Sequence, residues 1–143
     1  MKILVINGPN LARLDIRDSS IYGDLNYGEL KSLIEGAALK HGFEADIRQS
    51  DDEATIIGWL HEAADSKLPV IINPAAFTHY SYAIRDAAEL LTSPLIEVHL
   101  SNPMSREEFR HTSVIAGVAT GTVAGFGPNS YVLAIIALKN LIG

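Results

Sequence analysis

Five short polar signatures hold most of the side chains in this sequence that can do chemistry: Asn7-Gly8-Pro9-Asn10, Gln49-Ser50-Asp51, Asn73-Pro74-Ala75-Ala76-Phe77-Thr78-His79, His99-Leu100-Ser101-Asn102 and Gly125-Phe126-Gly127. His99 stands directly after an apolar run and before Ser101-Asn102, a position that suits a general acid. Arg13, Arg17, Arg106 and Arg110 all fall in predicted loops. Grouped arginines suggest oxyanion recognition, because the planar guanidinium fork pairs with carboxylates and ring hydroxyls. The lysines do not share that placement. Lys2, Lys31, Lys40, Lys67 and Lys139 sit at a strand start, on helices or just before a strand, so no Schiff-base or phosphate-gripping lysine is expected. His41 and His61 read as surface residues, whereas His79, His99 and His111 follow or flank strand ends. Asp51, Asp52 and Glu53 offer two readings, a Mg²⁺ site or an acidic helix N-terminus, and the second is preferred.

The elements that must position these groups alternate in type. Apolar strands are predicted over Lys2–Ile6, Phe43–Arg48, Val70–Asn73, Leu95–Leu100 and Gly117–Gly125. Helices are predicted over Tyr27–His41, Asp52–Ser66, Tyr80–Leu91 and Asn129–Ile142, with one short helical turn over Ser105–Arg110. Such a βα series with right-handed crossovers gives an α/β, flavodoxin-like, doubly wound five-stranded parallel sheet, with expected strand order 2-1-3-4-5. Ligand sites of open α/β sheets lie at the carboxyl ends of the strands, where the polar signatures fall. Roughly twenty residues follow Asn7 before the first long helix, against about 2–6 in an ordinary βα loop. That connection carries Arg13, Arg17 and Tyr22, with Gly23 and Gly28 as possible hinges, and reads as a lid.

A chain of 143 residues without linker or repeat is read as one domain, 1–143. A net charge of −6 with no basic stripe argues against a nucleic-acid binder. No apolar run is long enough for a membrane span. The start reads as a strand rather than a leader, and cysteine is absent, so a cytoplasmic protein without thiolate chemistry is expected. Dinucleotide, P-loop, response-regulator and flavodoxin phosphate-loop patterns are all missing.

Taken in order, I-L-V-I-N-G-P-N-L, R-D-S-S-I-Y-G, Q-S, I-I-N-P-A-A-F-T-H, I-R-D-A, E-V-H-L-S-N, R-E-E-F-R-H-T-S and G-F-G resemble the type II 3-dehydroquinate dehydratases over nearly the full length. The resemblance implies dehydration of 3-dehydroquinate to 3-dehydroshikimate through an enolate, in the shikimate or quinate pathway, without metal, imine or cofactor. It implies Tyr22 as the base. A free tyrosine titrates near 10 and needs help at neutral pH, which a nearby guanidinium supplies by favouring the phenolate; Arg17 matches that position. Asn10, through an ordered water, matches the enolate donor, His99 the acid, and Glu97 a group able to orient its neighbours. Asn73 and the amides of Leu100 and Ser101 match a carboxylate pocket. His79, Asp86 and Arg110 match residues that hold the ring hydroxyls, the aspartate reaching in from a neighbouring subunit. Arg106 resembles a second lid-facing arginine. Trimers, assembled into a dodecamer, are the partners so implied.

The sequence departs from the family pattern at several places. Asp15 and Ala75 stand where glycine is usual, Asp18-Ser19 replaces Glu-Pro, and Asp51-Asp52-Glu53-Ala54 replaces N-H-E-G. Two other classes fit part of the pattern: a non-catalytic relative that binds a cyclic polyol acid, and a flavodoxin-like electron carrier suggested by topology alone.

Overall fold

The computed structural model describes residues 1–143. Strand β1 (Lys2–Asn7) runs through Ile3-Leu4-Val5-Ile6, all fully buried, the continuous apolar run of a strand covered on both faces. It pairs in parallel with β2 (Glu44–Gln49) and with β3 (Val70–Asn73). Strands β4 (Leu95–His99) and β5 (Gly121–Ala124) extend the sheet to give the order β2-β1-β3-β4-β5. This is the predicted order. Because side chains alternate across a strand, Ile3 and Val5 join one core with helices α2 (Tyr27–Lys40) and α5 (Asn129–Ile142). Leu4 and Ile6 join a second core on the opposite face with α3 (Glu53–Ser66) and α4 (Tyr82–Glu89). Each fully buried leucine or isoleucine in these layers contributes about 1.5–3 kcal/mol.

Local chemistry sets the helix starts. Asn26 and Glu29 form a reciprocal capping box at α2. Ser81 Oγ accepts from the Ile84 amide, so α4 begins at Tyr82 rather than at the expected Tyr80; the preceding residues Ala75–His79 form a 3₁₀ turn. Strand β5 is shorter than expected. Val118 and Ala119 bond back to the Ile115 carbonyl, which turns residues 117–119 away from the sheet, and contact with β4 begins at Thr120, whose amide donates to the Leu95 carbonyl. The turn expected at Ser105–Arg110 is two 3₁₀ turns, Pro103–Ser105 and Glu108–Arg110. The lid contains a one-turn helix, α1 (Ser19–Tyr22), that the sequence reading did not anticipate.

The chain leaves β1 for β2 on one side and crosses to β3 on the other, so the strand order reverses between β1 and β3. Asn7 pairs with Asn73 in register there, and the carboxyl ends of both strands open into the crevice this reversal creates. Gly8 is required at that point, since a Cβ would lie 2.6 Å from the Pro74 carbonyl oxygen.

Candidate active site

A cavity of about 120 Å³ opens above the ends of β1, β3 and β4. It brings together Asn10, Arg17, Tyr22, Asn73, His79, His99, Leu100, Ser101, Arg106 and Arg110, residues drawn from the three segments that follow these strands. Its lining includes three arginines and neither an aspartate nor a glutamate, although the chain as a whole is acidic. No lysine reaches it.

Tyr22 ends α1, where Asp18 caps the helix by accepting from the Ser20 amide at 2.9 Å and the Ser20 hydroxyl at 2.7 Å. Gly23 then turns the chain at φ 91°, and a Cβ there would meet the Pro128 ring at 2.9 Å. The half-buried Tyr22 ring lies under two guanidiniums: the Arg17 Cζ is 3.6 Å from its centroid and the Arg106 Cζ 5.1 Å. Both contacts are to the ring face, so cation–π attraction ties the lid to the turn that carries Arg106. The lid's acids stay out of this contact. Asp15 pairs with Arg13 at 3.1 Å on the exposed side of the lid, and Asp18 is occupied as a cap.

His99 closes β4 with little exposure, and Glu97, two residues back on the same face, is wholly buried. The His99 Nε2 lies 2.5 Å from Glu97 Oε2. Burial acts to raise the Glu97 pKa, but hydrogen bonds and charge from His99, with the Thr78 and Ser113 hydroxyls, outweigh it and hold the carboxyl below its ordinary value. An ionised Glu97 is an acceptor only, so His99 carries its proton on Nε2 and turns Nδ1 away from the carboxylate. Neither Thr78 nor Ser113 was legible as a site residue. Nothing in a single sequence ties positions 19 and 16 residues from Glu97 to its carboxylate.

Asn73 is buried, with its side chain held at both ends. Its Nδ2 donates to the Tyr131 hydroxyl at 2.9 Å, its Oδ1 accepts from the Ala75 amide, and Tyr131 donates to Asn7 Oδ1 at 2.5 Å. Burial pushes Tyr131 well above the ordinary tyrosine range, so it remains a neutral donor in this network. One Asn73 amide hydrogen is left for the cavity. Beside it the backbone amides of Leu100 and Ser101 donate to no group of the protein. Unpaired amides next to arginines form a receptacle for an anion. His79 Nδ1 donates to the Thr112 carbonyl at 2.8 Å, which leaves its other nitrogen unengaged. Asn10, in the left-handed region that asparagine tolerates, is held by its backbone amide, which donates to Asp51 Oδ1 at 2.9 Å.

Other residues lie elsewhere. Arg13 is the one loop arginine of the four that does not line the cavity. Asp86 is exposed on α4 and lines no cavity of its own chain. His111 bonds the Arg106 carbonyl and lines a second cavity behind His99. The acids after β2 separate in purpose: Asp51 serves Asn10, Asp52 accepts from Thr55 Oγ1, and Glu53 accepts from Ser81 Oγ. His41 ends α2 and His61 is exposed on α3, as expected.

Residues 1–139 match the model of the family described as Dehydroquinase class II. The chain is 53% identical over 135 residues to the 3-dehydroquinate dehydratase of Mycobacteroides abscessus, covering 94% of each sequence. It is 50% identical over 142 residues to the one from Caldicellulosiruptor bescii, covering 99% of this chain and 98% of that one. The crystal structure of the type II dehydroquinase from Propionibacterium acnes superposes with a TM-score of 0.95 at 47% identity, covering 97% and 96% of the two chains. Full-length likeness in sequence and fold leads to one conclusion: this chain belongs to the class II dehydroquinase family.

Proposed function

We propose that this chain dehydrates 3-dehydroquinate to 3-dehydroshikimate by anti elimination, with Tyr22 as base and His99 as acid. The observation that carries this reading is the single cavity in which a tyrosine clasped by Arg17 and Arg106 faces the same space as a histidine backed by a buried carboxylate. Tyr22, as phenolate, takes the proton from the carbon beside the ketone. Its electron pair moves into an enolate, which Asn10 stabilises through water. The enolate then expels the β-hydroxyl as His99 gives it a proton, so that one water leaves and a conjugated enone remains. The proton on Tyr22 returns to His99 through solvent, and the catalyst is restored. Asn73 and the amides of Leu100 and Ser101 hold the substrate carboxylate, and His79 and Arg110 hold ring hydroxyls. The route needs neither metal nor cofactor, and a cavity without lysine offers no nitrogen for an imine.

Asp86 is assigned to the site of a neighbouring copy. Its exposure, beside Tyr82 and Leu90 on the same helix face, supports a trimeric contact there, and a dodecamer is the assembly expected of the family. A cytoplasmic location fits a cysteine-free chain whose helices include none long and apolar enough to cross a membrane.

The test is ultraviolet appearance of the conjugated enone when metal-free protein meets 3-dehydroquinate, repeated after borohydride treatment with substrate present. Enone formation that survives borohydride supports the elimination without an imine. Substrate binding with no enone at any pH instead supports a non-catalytic binder.

A further inference from the structure

Glu97 receives more hydrogen bonds than an orienting carboxylate needs. Besides His99, the Thr78 Oγ1 donates to its Oε2 at 2.5 Å, and Ser113 Oγ lies 2.9 Å from Oε1 and 3.0 Å from Oε2. Thr78 is wholly buried in the 3₁₀ turn after β3, one residue before His79. Ser113 follows the turn that carries Arg110, and its Oγ also accepts from the Ile115 and Ala116 amides. Each hydroxyl has a single proton, and a buried carboxylate is a better acceptor than the other hydroxyl 2.9 Å away. Both therefore point at Glu97. Neither lines the cavity that holds Tyr22; both line the separate cavity behind His99.

Two hydroxyl donors change what the carboxylate does to the imidazole. With His99 protonated, Glu97 is already neutralised by its partner. With His99 neutral, the buried charge depends on its remaining donors. The hydroxyls thus stabilise the second state more than the first, which makes the imidazolium readier to give up its proton.

We propose that Thr78 and Ser113 are positioning residues that set the strength of His99 as an acid, by sharing the Glu97 charge so that the carboxylate orients the imidazolium without retaining its proton. This rests on the reading of His99 as the acid. The charged groups that share its surroundings are Tyr22 and Arg17 from the lid, His79 after β3, and Arg106 and Arg110 after β4, with His111 on the far side. None of them touches the Glu97 carboxylate, so its charge is shared among His99 and the two hydroxyls alone.

Thr78→Val removes one donor with little change of shape, and Ser113→Ala removes the other from an independent segment. The His99 ring resonance, assigned by its loss in His99→Ala, is titrated by NMR in the resting protein. The pH profile of kcat is measured in parallel. In each variant the His99 titration is expected to move up by about 0.5–1 pH unit. The expected kcat falls several-fold with KM changed less, and Thr78→Ser restores both. An unmoved titration in folded Thr78→Val and Ser113→Ala, with His99→Ala inactive, overturns the proposal alone. A Thr78→Ser protein as displaced as Thr78→Val also overturns it, because the methyl and not the hydroxyl is then at work. Wild-type turnover by His99→Ala overturns the acid reading itself, whatever the titration shows.

Discussion

At the scale of single residues, Tyr22 and Ala75 illustrate two different constraints. Tyr22 is proposed to act through its hydroxyl, while its ring is what Arg17 and Arg106 stack upon. Tyr22→Phe keeps the ring and loses the base. Its kcat is expected to fall by about 10²–10⁴-fold, with the calorimetric Kd for 3-dehydroquinate nearly unchanged; turnover close to wild type removes Tyr22 as the base. Ala75 is constrained by its backbone. It adopts φ 52° at the mouth of the cavity, where the family pattern has glycine. The left-handed region costs a residue with a Cβ about 1–2 kcal/mol, and the greater unfolded-state entropy of glycine returns about 0.5–1 kcal/mol of that. Ala75→Gly is accordingly expected to raise the unfolding free energy by about 0.5–1 kcal/mol in urea titration; a decrease contradicts the strain assigned to this position. By contrast Asp15, at the other lost glycine, lies outside the left-handed region, so the same substitution is not strained there.

Elements differ in how much of their form a sequence reveals. The strands and the four long helices announce themselves through apolar runs and caps, and Glu97 and His99 share a face because strand side chains repeat every two residues. What escaped the reading is nonlocal or very short. Tyr131 looks like one more apolar position on α5, yet its hydroxyl joins Asn7 and Asn73, which lie 124 and 58 residues away. Residues 117–119 have strand composition, but bonds back to Ile115 decide their shape. Helix α1 has too few residues to carry a periodicity, and it depends on one side chain. Asp18 caps it from the position where the family pattern has glutamate, and its shorter side chain reaches the Ser20 amide and hydroxyl. Losing such a cap costs about 1 kcal/mol, enough to fray a single turn. Asp18→Ala is therefore expected to lower kcat/KM several-fold while leaving Tm within a degree or two, because only the lid's order changes. An unaltered kcat/KM separates lid order from catalysis.

For the whole molecule the question is where one site ends and the next begins. The net charge is −6, yet the cavity concentrates three arginines, so the field at its mouth draws an anionic substrate that the rest of the surface repels. The same surface carries Asp86 on α4, one turn from exposed Tyr82 and on the face that leads to exposed Leu90. A carboxylate there does not line its own cavity, and the proposed assignment has a second copy, packed against this apolar face, receive it in its own site. The resulting prediction concerns complementation between subunits. Tyr22→Phe chains lack the base but supply a normal Asp86, and Asp86→Asn chains have the reverse defect. When the two are co-expressed in equal amounts, random mixing gives about a quarter of the sites an intact Tyr22 and an intact neighbouring Asp86. Activity well above the mean of the two pure variants is the expected result. If Asp86 instead acts within its own subunit, each site in the mixture carries one defect or the other, and the activity stays at that mean. A mean value together with a trimer by light scattering sinks the assignment of Asp86 while leaving the assembly in place, and a monomer at full activity sinks both.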